Sequence, residues 1–408
     1  MSSAVQAEQQ PPTEPDQAPP ESNRWRTTLH DIAAGSVFNG VLAVLLAVVV
    51  GSVLIAVTDE NVRSTASYIT ARPGDFFQAT WDAVWGAYTA LFRGSIYNTN
   101  AVDFQQGIKP LTETAKFAAP LIVSGLGVGI AFRAGLFNIG GRGQMLMAGA
   151  AAGWIGFHFD LPPVLHVTLA LVAAMLAGAL WAGLAGVLKA RTGAHEVITT
   201  IMLNYVAFYL VFFALSKQSL LQAPDSFNPK SLPMKDSATL PKLFGDQYNL
   251  HLGFIIALVA VGFAWWLLER SSLGFRIRAV GINPAAARAN GINVGRTYVV
   301  VMLIAGALVG LAGANQVLGT VTSGITVDLD AGIGFDAITV ALLGRSRPLG
   351  ILAAGVLFGA LKAGGFAMQA SQGIPVDIVL VVQSLIVLFL AAPPLIKTLF
   401  RLPAQEAK

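Results

Sequence analysis

Residues Glu269–Arg296 read ERSSLGFRIRAVGINPAAARANGINVGR, a basic stretch set between two strongly apolar segments. Its five arginines face a single acid, Glu269. At its centre Asn283 fits an N-cap, Pro284 the first helical position, and Gly291 the position just past the helix end. A helix of about two turns is unstable alone in water, so it needs a surface to pack on. The stretch therefore predicts either a docking element or a solvated loop whose arginines fix the membrane topology.

The composition around this stretch is that of an integral membrane protein. Of 408 residues, 54% are hydrophobic and 12% are charged, with a mean hydropathy of +0.64. Soluble domains carry about a quarter charged residues, and the 42 glycines suit close helix packing in lipid. The sequence has no cysteine, and its five histidines show no zinc-site spacing, so thiolate chemistry and catalytic zinc are not expected. The net charge of +4 follows from membrane topology and is no evidence for nucleic-acid binding.

Ten apolar stretches are candidates to cross a bilayer, which takes about twenty residues. Together they predict an all-α transmembrane domain over residues 36–396. The ten are 36–57, 111–132, 141–160, 163–188, 196–216, 251–268, 298–320, 331–344, 349–370 and 376–396. The third opens with glycines and the eighth is short, so either is expected to be a broken or re-entrant element.

The positions of lysine and arginine orient the predicted bundle. With the N-terminus inside, the basic short loops fall on the cytoplasmic side, including the one that contains Arg142. The long segments 58–110 and 217–250 then lie outside, as does an acidic turn at Asp328 and Asp330. This arrangement places both termini in the cytoplasm.

Three further segments are expected to lie outside the spanning bundle. Residues 1–35, rich in Pro, Gln and Glu at their start, predict a disordered cytoplasmic tail without a cleavable signal peptide. Residues 397–408 form a second cytoplasmic tail. The segment Asp75–Phe92, DFFQATWDAVWGAYTALF, is amphipathic and predicts a helix along the outer interface. A lid packed on the bundle is the alternative.

Polar side chains inside apolar segments are costly and usually face the bundle interior or a water-filled path. The glycines of Gly135–Gln144, GLFNIGGRGQ, oppose a continuous helix, which leaves irregular backbone beside Asn138 and Gln144. This pattern predicts a pathway element, with a tight capped turn as the alternative. Asn204 is a second pathway candidate. Glu196, at the start of its span, is more typical of helix capping.

Further polar residues occur in the later spans. Asn315 and Gln316 are adjacent amides, so at least one should meet water, another helix or substrate. Asp336 and Lys362 lie at comparable depth in antiparallel spans, which favours a structural ion pair. A substrate contact and a Lys362 side chain that snorkels outward are the alternatives. Weaker pathway candidates are Gln369 and Gln383.

Several segments together resemble the inner-membrane permeases of bacterial ABC importers for nucleosides, simple sugars and branched-chain amino acids. The nucleoside branch is the most similar. The resemblance covers residues 110–396, and the sequence departs from it at Arg142, where family members often carry an acid. The matching segments are GLFNIGGRGQMLM (135–147), EVITTIMLNY (196–205), Leu273–Val294 with its core GINPAAARANGINV, and GFDAITVALLGRSRPLG (334–350).

The resemblance implies a type II importer permease built from two related halves, of which 111–216 and 298–396 show only a faint echo. It implies three partners: a second, similar permease, an extracytoplasmic substrate-binding lipoprotein and a cytoplasmic ABC ATPase. The sequence contains no P-loop motif, so ATP and magnesium would bind the partner ATPase and no cofactor is expected in this chain. The resemblance also implies that the cytoplasmic loop 269–297 couples to that ATPase. The coupling residues are Asn283, Pro284, Ala287, Arg288 and Gly291.

The sequence thus predicts a transport subunit, and not an enzyme, that moves nucleosides inward across a bacterial plasma membrane. Uncharged amides suit a neutral ligand rich in hydrogen-bonding groups. Ribose or galactose would suit them as well, so simple-sugar import is the alternative within the class. A rival class is an ion-coupled secondary transporter with Asp336, Glu196 or Lys362 at the ion site. A membrane-embedded enzyme is not favoured, because the sequence shows no metal constellation, nucleophile–base pair or paired carboxylates.

Overall fold

The chain folds as an all-α bundle in a computed structural model that describes residues 36–224 and 226–391. The helices are α1 (Ser36–Thr58), α2 (Glu60–Ala66), α3 (Pro73–Ser95), α4 (Phe104–Arg133), α5 (Gly141–His158), α6 (Pro163–Thr192), α7 (Glu196–Leu215), α8 (Gly253–Arg270), α9 (Ser272–Ile282), α10 (Pro284–Ala289), α11 (Val294–Asn315), α12 (Ile333–Leu343), α13 (Pro348–Gln372) and α14 (Val376–Ala391). A π-helical turn, Gln316–Thr320, extends α11. The predicted tails 1–35 and 397–408 lie outside the described residues.

The helices match the predicted spans and make the chain a multi-pass membrane protein. Each of the ten predicted spans coincides with a helix. Among the described residues, six helices are long and apolar enough to cross a membrane: α4, α6, α7, α8, α11 with its π turn, and α13. The pair α1 and α2, bent by 73°, adds a seventh. Helix α12, with 11 residues, is too short, and α5 and α14 also fall outside the six. Of these three, α5 and α12 are the elements expected to be broken or re-entrant.

Short capping motifs set the ends of the long helices. The Asp103 carboxylate accepts a hydrogen bond from the Gln106 amide at 2.7 Å and begins α4. The Asn293 side-chain oxygen accepts a hydrogen bond from the Arg296 amide at 2.9 Å and begins α11. Gly193, with a φ of 71°, ends α6 in the left-handed conformation that glycine adopts without strain. The sequence therefore fixes where these spans start and stop.

Helices α6 and α11 pack through small residues that bring their backbones into contact. A Cβ on Gly306 would stand 2.3 Å from the carbonyl oxygen of Gly178, and one on Gly310 would stand 2.4 Å from that of Ala174. Such close approach is how helices gain packing energy in lipid, where apolar burial against a neighbour brings little. The two helices therefore form one tightly joined unit.

Helix α4 runs through the middle of the bundle, and its residues 118–131 are all buried. It meets α13 where Gly355 packs on Ile122, and it meets α11 where a Cβ on Gly127 would stand 2.5 Å from the Ala305 carbonyl oxygen. The unit of α6 and α11 is thereby joined to α13 through α4.

Between α11 and α12 the chain turns back into the bundle beside α5. Ile325 packs against Gly153, and Leu329 packs against Gly149, one turn closer to the start of α5. The segment 321–332 thus runs antiparallel to α5. Helix α12 then begins where the backbones of Gly334 and Gly141 meet. The segment 321–332 and α12 therefore form one pass through the bundle, of which only α12 is helical.

This return corrects the predicted topology at one point. The sequence placed Arg142 on the inner side and Asp328 and Asp330 in an outer turn. Instead, Arg142 Nε lies 3.3 Å from Asp330 Oδ1, and Arg142 Nη2 lies 4.0 Å from Asp328 Oδ1. The segment 321–332 carries the acids down to the start of α5, where they neutralise the arginine. These three charges therefore do not mark opposite membrane faces.

The predicted interfacial segment 75–92 lies within α3. One side of this helix packs on the bundle: Gly94 meets Ala367 of α13, and the Tyr88 hydroxyl donates to the Val48 carbonyl of α1 at 2.8 Å. The position of α3 at the outer membrane surface stays a prediction. Three of its large apolar side chains suit that position and are exposed: Phe77, Trp81 and Trp85.

Replacing Gly306 with leucine should destabilise the bundle, because the new side chain would meet the Gly178 backbone. Overpacking of this kind costs about 1–3 kcal/mol, measurable as a lower Tm of the purified protein in detergent. Gly262→Leu in α8 is the matched control, since no described atom lies within 4 Å of a Cβ at that helical glycine. A Gly306→Leu protein that melts with the parent would contradict the packing.

Candidate functional site

Three of the predicted pathway amides come together at the break between α4 and α5. Gln144 Nε2 donates to Asn138 Oδ1 at 3.0 Å. The same Asn138 oxygen accepts from the Gly140 amide at 2.9 Å. Asn204 of α7 accepts from the Gly143 amide at 2.8 Å and donates to the Ile139 carbonyl at 2.9 Å. We call residues 134–140 the α4–α5 break and these three side chains its amide network.

The amide network is buried and already engaged by the chain itself. Asn138 is 0% exposed, Gln144 1% and Asn204 6%. Asn138 and Asn204 bond backbone groups that the interrupted helix leaves without partners, and Gln144 bonds Asn138. In an apolar bundle such backbone groups need a partner. Substrate would therefore meet these amides only as the break changes shape.

Glu196, at the first turn of α7, also serves the break. Its Oε2 lies 2.9 Å from Lys189 Nζ, and its Oε1 accepts from the Phe137 amide at 3.5 Å. Glu196 lies in the first turn of α7, as predicted, but no side chain caps that helix end by a hydrogen bond. The carboxylate instead links the end of α6 and the start of α7 to the break.

The sequence marked Arg142 as a cytoplasmic base and as a departure from the family pattern, but not as part of a site. In the structure its guanidinium lies 5.3 Å from the ring centroid of Phe208 and is held by Asp330, whose side chain is 5% exposed. Desolvating a charge is tolerable when an opposite charge is close. The sequence carries no local signal for this pair, because 188 positions separate its members and only the return of segment 321–332 joins them.

Asn315 and Gln316 belong to a second polar group at the far end of α11. Both are buried, at 2% and 5% exposure. A Cβ on Gly253, at the start of α8, would stand 2.2 Å from Asn315 Nδ2 and 2.7 Å from His251 Nδ1, so that these two side chains flank the same glycine. The sequence did not single out His251, whose neighbours are apolar.

The remaining candidates lie apart from the amide network. Lys362 Nζ is 3.9 Å from Asp336 Oδ2, within ion-pair distance, and donates to the Ala331 carbonyl at 2.9 Å. Gln369 is exposed and Gln383 is buried. In the described part of the chain, no hydrogen bond joins either glutamine to the network.

The basic loop is more ordered than predicted, because an additional helix, α9, precedes the capped helix α10. Asn283 Oδ1 accepts from the Ala285 and Ala286 amides at 3.0 Å each, and Gly291 has a φ of 79°, so the predicted start and stop are present. Pro284 and Arg288 are exposed.

One residue of this loop corrects the predicted contact surface. Ala287 is 4% exposed and packs with Val280 and Val294, so it anchors α10 and presents no side chain to a partner. Ile282 is instead 85% exposed at the junction of α9 and α10. An exposed apolar side chain beside a capped helix is typical of an interaction surface.

The loop and the α4–α5 break are in direct contact. A Cβ on Gly281, the penultimate residue of α9, would stand 2.1 Å from the Arg133 carbonyl oxygen and 3.1 Å from the Ala134 carbonyl carbon. Arg133 Nε also donates to the Ser346 carbonyl at 3.0 Å. A displacement of α9 must therefore move the residues at which the break begins.

Comparison with known proteins adds an independent finding. Residues 111–391 match the family described as branched-chain amino acid transport system, permease component. The guanosine ABC transporter permease protein NupP of Bacillus subtilis is 41% identical over 69% of this chain and 80% of its own length. The nucleoside ABC transporter permease protein NupB of Lactococcus lactis is 33% identical over 80% and 88%. The glucose ABC transporter permease protein TsgB13 of Haloferax volcanii is 35% identical over 69% and 75%. No solved structure matches the chain.

Replacing Asn204 with leucine should lower the Tm in detergent, because the Gly143 amide and the Ile139 carbonyl lose their partner. An unsatisfied buried polar group costs about 1–3 kcal/mol. Asn61→Leu, on the exposed surface of α2, is the matched control and should leave the Tm unchanged. If Asn204→Leu and Asn61→Leu melt together, the amide does not hold the break.

Proposed function

This chain belongs to the family of branched-chain amino acid transport system permease components, and on that premise we propose that it forms the membrane path of an ATP-driven nucleoside importer. It is a transport subunit and not an enzyme. The observation that carries the substrate class is the similarity to the guanosine permease over most of the chain. The similarity to the nucleoside permease of Lactococcus lactis points the same way.

The chemistry of the interior supports a neutral cargo. The α4–α5 break presents amide side chains, which donate and accept hydrogen bonds without carrying charge. The charged side chains near it are paired with each other: Arg142 with Asp330, and Lys189 with Glu196. A neutral nucleoside can exchange hydrogen bonds with such a lining, whereas a charged cargo would need an opposite charge.

Partners complete the importer. The sequence has no P-loop, so ATP and magnesium bind a separate ATPase on the cytoplasmic face. A second, similar permease forms the other wall of the path, and an extracytoplasmic lipoprotein delivers the ligand. The complex lies in a bacterial plasma membrane with both termini of this chain in the cytoplasm. The names of the relatives as ABC transporter permeases support this assembly.

The ATPase docks on α9 and α10, and Ile282 is its main apolar contact. The capped helix α10 holds this surface rigid, since Ala287 ties it to Val280 and Val294. Motion of the ATPase passes through Gly281 to Arg133, where the α4–α5 break starts. The break then changes the pairing of the amide network and opens the path.

Simple-sugar import is the second candidate, and the similarity to the glucose permease of Haloferax volcanii is the observation that favours it. An ion-coupled carrier has less support, because Asp336 lies within ion-pair distance of Lys362 and Glu196 pairs with Lys189. A carrier would need one of these carboxylates to bind the coupling ion in place of its lysine.

Proteoliposomes that contain the complete importer should accumulate radiolabelled guanosine only when ATP is present. Unlabelled nucleosides should compete with the label, and ribose or glucose should not. The measurement is uptake with each competitor, with a proton gradient in place of ATP as the control. Competition by sugars would favour the sugar alternative, and uptake driven by the proton gradient alone would establish the carrier.

Ile282→Glu should uncouple the importer, because the ATPase loses an apolar contact and meets a charge. Burying such a side chain contributes about 1.5–3 kcal/mol, so uptake per ATP hydrolysed should fall by about tenfold or more. Ile282→Leu should keep coupling. Ile69→Glu, at an exposed isoleucine distant in sequence from the basic loop, controls for the added charge. Normal coupling in Ile282→Glu would exclude this residue from the docking contact.

A further inference from the structure

A second polar site lies at the end of the bundle opposite α9 and α10. It is a cavity of 550 Å³ between the start of α8, the π turn Gln316–Thr320 and the segment 236–250. Pockets for small ligands measure about 300–1,000 Å³, so the cavity admits a molecule the size of a nucleoside. We call it the His251 cavity, after the histidine in its lining.

His251 presents a hydrogen-bond donor that the described chain leaves unused. Its Nδ1 accepts from the Gly253 amide at 3.2 Å. An Nδ1 that accepts a hydrogen bond carries no proton, so the ring is neutral in this arrangement. The proton of the neutral ring is therefore on Nε2, which is buried and has no partner among the described residues. The side chain is 2% exposed.

Two neighbouring polar groups share this property. Thr320 Oγ1, in the cavity lining, and Asn315 Oδ1, beside His251, are also buried with no hydrogen-bond partner in the described part of the chain. Leaving such a group unpaired costs about 1–3 kcal/mol. All three lie on or next to the π turn, and π-helical turns occur frequently at functional sites. Because the three atoms are buried, a ligand in the cavity reaches them only when the turn moves.

The two lysines of the cavity lining are each paired with an acid, and Asp236 is a further acid in the lining. Lys116 forms an ion pair with Glu113. Lys242 Nζ donates to the Asp246 carbonyl at 3.1 Å and lies 3.8 Å from its carboxylate. With its lysines engaged in this way, the cavity favours a neutral ligand with both acceptor and donor groups.

We propose that the His251 cavity binds the base of a neutral nucleoside, whose acceptor atom receives the Nε2–H of His251 while a neighbouring donor engages Thr320 Oγ1. Nucleobase edges carry donors and acceptors side by side, which matches the two unpaired groups. The inference rests on the proposed nucleoside import and extends it. The permease itself, and not only the delivering lipoprotein, holds a site that recognises the base before the ligand reaches the α4–α5 break.

The test measures equilibrium binding of tritiated guanosine to the importer, purified with its partner subunits in nanodiscs, without the lipoprotein and without ATP. His251→Phe keeps the ring and removes the donor, and should weaken binding about tenfold, as expected for one lost hydrogen bond. His251→Gln, which retains a donor, should recover part of the affinity. Thr320→Val should weaken binding severalfold. Thr168→Val is the matched control, because Thr168 bonds only its own helix at the Val164 carbonyl.

Guanosine uptake by the complete importer is measured in parallel. Uptake without saturable guanosine binding, or equal affinity in His251→Phe, Thr320→Val and Thr168→Val, would overturn the site and leave the proposed function standing. Displacement of guanosine by ribose would overturn recognition of the base. Absence of guanosine uptake would overturn the proposed function and the site with it. If His251→Phe does not fold, the isosteric Thr320→Val decides the outcome.

Discussion

Every other feature of the site depends on how this bundle satisfies the backbone groups at the α4–α5 break. A helix that stops inside an apolar bundle leaves amides and carbonyls without partners, and lipid offers none. Asn138 and Asn204 supply most of them through their side-chain amides. Thr200 adds its hydroxyl, which accepts from the Ile139 amide at 3.3 Å. Helix α7 must therefore lie against the break, which fixes the positions of α6 and Glu196 as well.

The bundle combines parts that are packed rigidly with parts that can change pairing. Helices α6 and α11 meet backbone to backbone at Gly178 and Gly306, and this interface has no room for an alternative arrangement. The break, in contrast, is held by hydrogen bonds of side chains that can exchange partners. Its first residues lie against α9 at Gly281. Val294, at the start of α11, packs on Val280 of α9 and Ala287 of α10, so the basic loop contacts both the break and the rigid unit.

Local patterns in the sequence predicted the helix ends and the break, but not what lies beside them. The capping residues Asn283 and Gly291 and the glycine-rich stretch before Gln144 were recognised because their geometry is decided within a few residues. The pairing of Arg142 with Asp330 could not be predicted, because it depends on the return of segment 321–332. Likewise, only packing on Val280 and Val294 shows that Ala287 faces inward and leaves Ile282 exposed. Tertiary contacts thus decide which residues of such a motif are buried and which are exposed.

Hydrogen exchange over residues 134–147 tests most directly whether the α4–α5 break is the moving part of the path. The measurement compares the reconstituted importer at rest with the same complex trapped with ATP analogue on its ATPase. The amides of Gly140 and Gly143 should exchange faster in the trapped complex as Asn138 and Asn204 release them, while residues 174–182 of α6 should stay protected. Equal protection of the break in both states would contradict the account.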